Sequence, residues 1–192
     1  MPAEPPSPRV AAVPSLTSRI GFRLMTLTMV LSRRGPALEA RVRRAGVGPG
    51  QVVLDYACGP GYYAVPAARL VGPGGHVYAL DLQPAAAAMT AGRARAAGLA
   101  NVSTIVSDRD TGLPDASVDV VLLFDAIAGI VDRRGVLGEL ARVLKPAGHL
   151  AVWVEHGPPE ATLPLVTEAS AFRLRARDGD IGLFDPPAIA GP

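Results

Sequence analysis

The chain has 192 residues, 49% hydrophobic and 19% charged; at roughly 150 residues per domain this is one core, too apolar and too weakly charged for a disordered chain. Nineteen Lys and Arg stand against 17 Asp and Glu, a net charge of +2 with no cationic stripe, which argues against a nucleic-acid partner. The single cysteine, Cys58, excludes an internal disulfide, gives no metal site and fits a reducing cytoplasm, and no run reaches the roughly 18 apolar residues of a membrane span.

Residues 1–15 contain Pro2, Pro5, Pro6, Pro8 and Pro14 and are expected to form a loose arm, because proline removes backbone donors and keeps its predecessor extended. They lack the basic-then-apolar order of a secretory signal. Residues 16–46 are expected to form a helical cover. In SRIGFRLMTLTMVLSRRG, Ile20, Leu24, Leu27 and Leu31 keep helical spacing, Ser18 can cap the start, and Phe22, Met25, Met29 and Val30 widen the apolar stripe beyond one face, so this helix needs something to lie against. A lid or core-packing role is preferred, with a dimer face or an interfacial anchor as alternatives. A second helix is expected from Pro36 to Ala45, with proline suited to its first turn.

From Gln51 the pattern changes. VVLDY (52–56), HVYAL (76–80), VSTIV (102–106), VDVVLLF (118–124) and HLAVWV (149–154) are unbroken apolar runs of strand length, the mark of strands buried on both faces of a parallel sheet. Tyr62 to Val71, Pro84 to Gly98 and Val131 to Leu144 are long enough for crossover helices. Glu160 to Ser170 reads as a helix, and FRLRAR and DIGLF as strands joined by a tight turn at Asp178-Gly179. The expected fold is α/β: a doubly wound, mainly parallel seven-stranded Rossmann-like sheet with a C-terminal antiparallel hairpin. Residues 47–185 would form this domain, with 186–192 as a tail.

In such a sheet ligands bind outside the carboxyl ends of the strands, where crossovers diverge. The first of these loops reads VVLDYACGPGYY. Asp55 closes the strand, and Gly59 and Gly61 frame a turn that lets a ligand approach the backbone. Asp81 closes the second strand 20 residues after Gly61, the separation expected of a carboxylate that grips ribose hydroxyls. A dinucleotide loop carries a third glycine; here Ala64, a permitted variant, stands there. A carboxylate at Asp55 would repel a pyrophosphate and suit a phosphate-free cation. The expected cofactor therefore carries an adenosine and a positive charge.

The runs LDYACGPGYY, VYALD, SDRDTGLPDASVDVVLLFDA and LGELARVLKPAGHLAVWV resemble, in order, the motifs of the class I S-adenosylmethionine-dependent methyltransferases. The likeness is strongest to the small bacterial and archaeal branch that includes quinone-biosynthesis methyltransferases, and it covers about Val47 to Phe184. The resemblance implies that Asp55, Ala57, Cys58, Gly59 and Gly61 line the methionine portion of S-adenosylmethionine. It puts Asp81 on the ribose, Leu82 on the adenine and Asp108 on the adenine amino group with Arg109 alongside. Phe124 and Asp125 come where methionine amine and substrate meet. The family pattern has glycine where this chain has Ala57. The implied chemistry is in-line methyl transfer to a small, apolar acceptor, with little demand for a dedicated catalytic group.

Cys58 is read as packing and cofactor contact, since no His-Asp relay is legible near it. His76 and His149 open strands at the edge away from the ligand. His156 follows the fifth strand at the ligand edge and is the candidate base or substrate contact, weighed against a plain loop role. Tyr62, with Tyr63 beside it, is weighed equally as an aromatic face for a cation and as helix-start packing. Arg133 and Arg134 read as a solvated helix start. Two rivals remain open: a nicotinamide-dependent oxidoreductase, and a non-catalytic subunit that keeps the fold and serves a partner. A homodimer is compatible with either the enzyme or the subunit reading.

Overall fold

The computed structural model describes residues 35–154 and 157–188. The proline-rich arm, the apolar segment up to Arg34, His156 and the last residues of the tail lie outside the described residues.

β1 (Val52–Tyr56), β2 (His76–Asp81), β3 (Val102–Val106), β4 (Val118–Phe124) and β5 (Leu144–Trp153) run parallel. β6 (Arg173–Asp178) and β7 (Ile181–Asp185) complete the sheet as a hairpin, β7 pairing antiparallel to β5. The strand order is β3-β2-β1-β4-β5-β7-β6. From β1 the chain steps outward through β2 to β3, then returns to the other side of β1 for β4 and β5. The direction reverses between β1 and β4, and the connections diverge there.

The helices are α1 (Gly35–Arg44), α2 (Ala64–Val71), α3 (Pro84–Ala96), α4 (Arg133–Val143), α5 (Pro159–Thr162) and α6 (Pro164–Ala169). Leu54, Val121, Leu123, Leu150 and Val152 of the sheet meet Leu137, Leu140 and Val143 of α4 in one buried cluster. Fully burying a leucine side chain contributes about 1.5–3 kcal/mol. α3 instead buries Ala86, Ala87, Thr90 and Ala94, and these small side chains let its axis come close to the sheet and to the loop after β1.

Three expectations need correction. β3 is not buried on both faces: Ser103, Thr104 and Val106 are exposed, because β3 is the outermost strand. The helix expected over Glu160 to Ser170 is broken at Leu163 into α5 and α6, Pro164 opening the second, since proline supplies no donor to a preceding turn. β5 begins at Leu144, not His149; after an irregular stretch its register resumes with His149 opposite Val120. His149 is buried there, and its Nε2 donates to the Ala45 carbonyl at 2.8 Å. Burial lowers its pKa, so a neutral ring ties the end of α1 to the sheet. His76 is half-buried, its Nε2 3.0 Å from Ser103 Oγ.

Candidate active site

A crevice of about 660 Å³ opens where the sheet reverses. Its walls come from the carboxyl ends of four neighbouring strands: Tyr56 and Ala57 after β1, Asp81 and Leu82 after β2, Ser107 to Arg109 after β3, and Asp125 and Ala126 after β4. Gly129, Ile130, Val131 and Asp132, which lead into α4, close the remaining side.

The loop after β1 is held from behind. Cys58 N donates to Leu80 O at 2.9 Å, and Gly59 N donates to Asp81 Oδ2 at 2.9 Å. Asp81 Oδ1 accepts from Gln83 N at 2.9 Å, so both its oxygens are oriented by backbone amides. Thr90, fully buried on α3, donates through Oγ1 to Gly59 O at 3.0 Å. Gly61 has φ +81°, and a Cβ there would lie 2.7 Å from Thr90 Oγ1 and 3.1 Å from Thr90 Cα. The glycine is needed for conformation and for clearance, because α3 packs directly on the turn.

Asp55, at 2% exposure, lies beneath this loop, and its Oδ2 has no hydrogen-bond partner among the described residues. Burial first, and the Asp81 carboxylate second, push it up to about 8, against a smaller lowering by the Ala64 N–H. A buried carboxyl without full compensation takes up a proton rather than carry the charge. Burial also pushes the Cys58 thiol up, with Asp55 adding to it; its Sγ faces Gly59 O and Thr90 Oγ1 at 3.5 and 3.8 Å. A thiol kept protonated is a packing group and no nucleophile.

The opposite wall is fixed through loops. Tyr56 Oη donates to Asp108 O at 2.7 Å, and burial drives this phenol up to about 12. Glu139 on α4 accepts from Thr111 N at 3.0 Å and Thr111 Oγ1 at 2.5 Å, and Arg142 clamps the same carboxylate. Arg142 is the first cause that holds Glu139 down to about 2. At the mouth, Arg109 Nη1 and Asp132 Oδ2 pair at 3.1 Å while Asp132 Oδ1 caps α4 through Gly135 N at 2.9 Å. A Cβ at Gly135 would collide with the Asp132 carboxylate and come within 2.8 Å of Arg109 Nη1. Two non-glycine residues of the wall have left-handed backbone, Ala57 at φ 60° and Asp125 at φ 54°, conformations that cost L-residues roughly 1–2 kcal/mol. Ala57, where the family pattern has glycine, thus occupies a glycine conformation.

Beside the crevice the carboxyl ends of β4 and β5 carry an aromatic cluster. Tyr63 meets Phe124 edge-on at 4.9 Å between centroids and Trp153 at 6.0 Å. Trp153 Nε1 donates to Asp180 Oδ2 at 2.5 Å. Arg41 of α1 lies over the Trp153 ring at 3.7 Å, and its Nη1 donates to the Tyr63 hydroxyl at 3.0 Å.

Ala57, Asp81, Leu82, Asp108, Arg109 and Asp125, singled out from sequence, line one crevice. Asp55 and Cys58 are buried, Gly59 and Gly61 shape the turn, and Phe124 belongs to the aromatic cluster. Tyr62 is buried, with the Arg93 guanidinium 4.6 Å from its ring centroid, and is not among the residues that line the crevice. Sequence reasoning missed Thr90, Ser107, Ile130, Val131, Asp132 and Gly135. Asp132 was findable: an aspartate three residues before Gly135, ahead of a helical segment, has capping spacing.

A family model described as "Methyltransferase domain" matches residues 48–163. The chain belongs to the methyltransferase-domain family. The domain is 37% identical over 112 residues to the nocamycin O-methyltransferase of Saccharothrix syringae, covering 58% of this chain and 40% of that protein. It is 34% identical over 122 residues to the demethylmenaquinone methyltransferase of Geobacillus kaustophilus, covering 63% and 52%. The chain thus spans about half the length of such relatives. A solved SAM-dependent methyltransferase from Aquifex aeolicus superposes with a TM-score of 0.68 at 26% identity, covering 77% of this chain and 88% of that one.

Proposed function

We propose that the chain is an S-adenosylmethionine-dependent methyltransferase that acts on a small molecule by in-line transfer. The observation that carries this reading is Asp55, a buried carboxyl with an unpartnered oxygen next to the Asp81 carboxylate. A diphosphate brought to this place would add negative charge beside the Asp81 carboxylate and keep the proton on Asp55, whereas a cationic nucleoside is attracted to Asp81 and favours the ionised form of Asp55. A nicotinamide dinucleotide, which carries such a diphosphate, is disfavoured for the same reason.

The other residues fit the group. Each Asp81 oxygen accepts one backbone N–H, which leaves a second lone pair on each for ribose hydroxyls. Leu82 is 65% exposed beside the crevice, an apolar face for the adenine, and Asp108 offers an exposed carboxylate to its amino group. Ala57, Gly59 and Gly61 would hold the methionine portion through backbone, with Asp125 and Phe124 at its amino end and Arg109 over the mouth. Bound there, the cofactor supplies a methyl activated on a positive sulfur. The chain's part is alignment and exclusion of water, since charge disperses as the sulfonium becomes a thioether. Tyr62 and Cys58 serve packing, and His156 is the base only for an acceptor that must lose a proton. The names of the nocamycin and demethylmenaquinone relatives speak of small acceptors. No described helix is long and apolar enough to cross a membrane.

Asp81→Ala tests the assignment by calorimetry with S-adenosylmethionine: the variant is expected to lose about 1–3 kcal/mol of binding free energy, the range for removing hydrogen bonds to a charged group. An unchanged affinity would remove Asp81 from the site.

A further inference from the structure

Asp108, Arg109 and Asp110 follow β3 as three consecutive charged residues, all exposed, yet they are not equally occupied. Arg109 pairs with Asp132 at 3.1 Å, and Asp110 Oδ1 accepts from Gly112 N at 3.0 Å. The Asp108 carboxylate has no hydrogen-bond or ion-pair partner among the described residues. Of the two acids it is the one that lines the crevice, so its oxygens are open to a ligand there.

A carboxylate on an exposed bend selects a ligand only when its backbone is fixed. Ser107 N donates to Asp81 O at 3.1 Å and Arg109 N to Ser107 Oγ at 3.2 Å, which ties the chain on either side of Asp108. Asp108 itself is held by Tyr56, whose Oη donates to Asp108 O at 2.7 Å. Tyr56 closes β1 opposite Leu80 of β2, and Leu80 lies opposite Ile105 of β3, so the phenol reaches across a whole strand to meet this loop. Tyr56 is 4% exposed and forms part of the crevice wall. Burial keeps its hydroxyl protonated and therefore a donor. A phenylalanine would fill the same space and leave Asp108 O without this bond.

We infer that Tyr56 is a positioning residue for nucleobase selection: by fixing the Asp108 main chain it aims the Asp108 carboxylate at the amino group of the adenine, and the chain thereby discriminates adenosyl from inosyl ligands. This rests on the methyl-transfer reading and deepens it, since it gives the end of β1 a hold on the far end of the cofactor. An adenine donates from its amino group to the carboxylate, whereas a hypoxanthine turns an oxygen toward it, acceptor against acceptor. A site built around such a hydrogen bond rejects the analogue that cannot make it.

Calorimetric titration of the full chain with S-adenosylhomocysteine and with its deaminated analogue, S-inosylhomocysteine, reads this selection. The unaltered chain is expected to bind the adenosyl form about tenfold to a hundredfold more tightly, the range of one hydrogen bond to a charged group. Tyr56→Phe should weaken the adenosyl form several-fold and leave the inosyl form no weaker, so that the ratio of the two affinities shrinks. Asp108→Ala should erase most of that ratio, and Tyr56→Phe added to it should change the ratio no further. Replacing Tyr56 by 4-aminophenylalanine, which keeps a donor at the ring's end, should restore it. A packing role alone would weaken both forms alike. Equal weakening of both forms by Tyr56→Phe, or an undiminished ratio, overturns the inference. Asp108 O lies in an exposed bend where water can take the place of the phenol, so Tyr56→Phe is expected to fold; should it not, Tyr56→Met gives the same comparison. Failure of the unaltered chain to bind S-adenosylhomocysteine at all strikes the methyl-transfer reading and the inference with it, whereas equal binding of the two forms strikes the inference alone.

Discussion

At the scale of single residues the site is organised around carboxylates in unlike surroundings. Asp81 is oriented by two amides at the crevice wall, whereas Asp55 is enclosed and titrates near 8 in the folded chain against 3.8 as its ordinary value. Between those values the folded chain holds a proton on Asp55 that the unfolded chain has lost. This contribution to stability is fully present below about pH 3.8 and is lost as pH rises through about 8, by linkage. Asp55→Asn cannot ionise and keeps an acceptor for the Ala64 N–H. We therefore expect the melting temperature of the unaltered protein to fall relative to that of Asp55→Asn as pH is raised from 5 to 8.5; parallel curves would mean that Asp55 stays ionised throughout. Both acids were legible in the sequence because each closes an apolar run at the edge where ligands bind. The missing partner of Asp55 was not, since burial of one oxygen depends on how the chain folds back over it.

At the scale of elements, the glycine loop works because α3 is close to it. Gly59 and Gly61 both have positive φ, 53° and 81°, but only Gly61 has Thr90 where a Cβ would go, and nothing lies within 4 Å of that point at Gly59. Gly61→Ala should cost about 2–5 kcal/mol, left-handed backbone at roughly 1–2 plus overpacking at roughly 1–3. Gly59→Ala should cost only about 1–2 kcal/mol. Chemical denaturation of the two variants measures the difference, and equal costs would show that α3 yields at Thr90. The glycines were visible as a motif; their unequal roles were not, because the distance from α3 to the loop is set by alanines elsewhere on that helix. The run VSTIV likewise reads as a central strand by composition, while its place at the edge of the sheet is a matter of topology. Pro164 did mark the break between α5 and α6, and the helical pattern on either side obscured it.

At the scale of the molecule, α1 is tied to the far end of the sheet as well as to its neighbours. Arg44 pairs with Asp178 and Asp180 of the hairpin, and Ala45 accepts from His149 of β5. These links hold Arg41 beside the carboxyl ends of β4 and β5. The order of buried and crossover segments announced the doubly wound sheet, and the acid after each strand announced the crevice. The part of the wall built by Ile130 and Val131 was hidden, because the connection into α4 meets the crevice only in three dimensions; of its residues Asp132 alone was legible, by its capping spacing. All of this converges on a pocket for a cationic nucleoside. Calorimetric titration of the protein at pH 7 with S-adenosylmethionine and with NAD, each in two buffers of different ionisation enthalpy, tests that most directly. S-adenosylmethionine should bind with release of a proton from Asp55, and NAD should not compete. No heat with S-adenosylmethionine at millimolar concentration, or tighter binding of NAD, would contradict it.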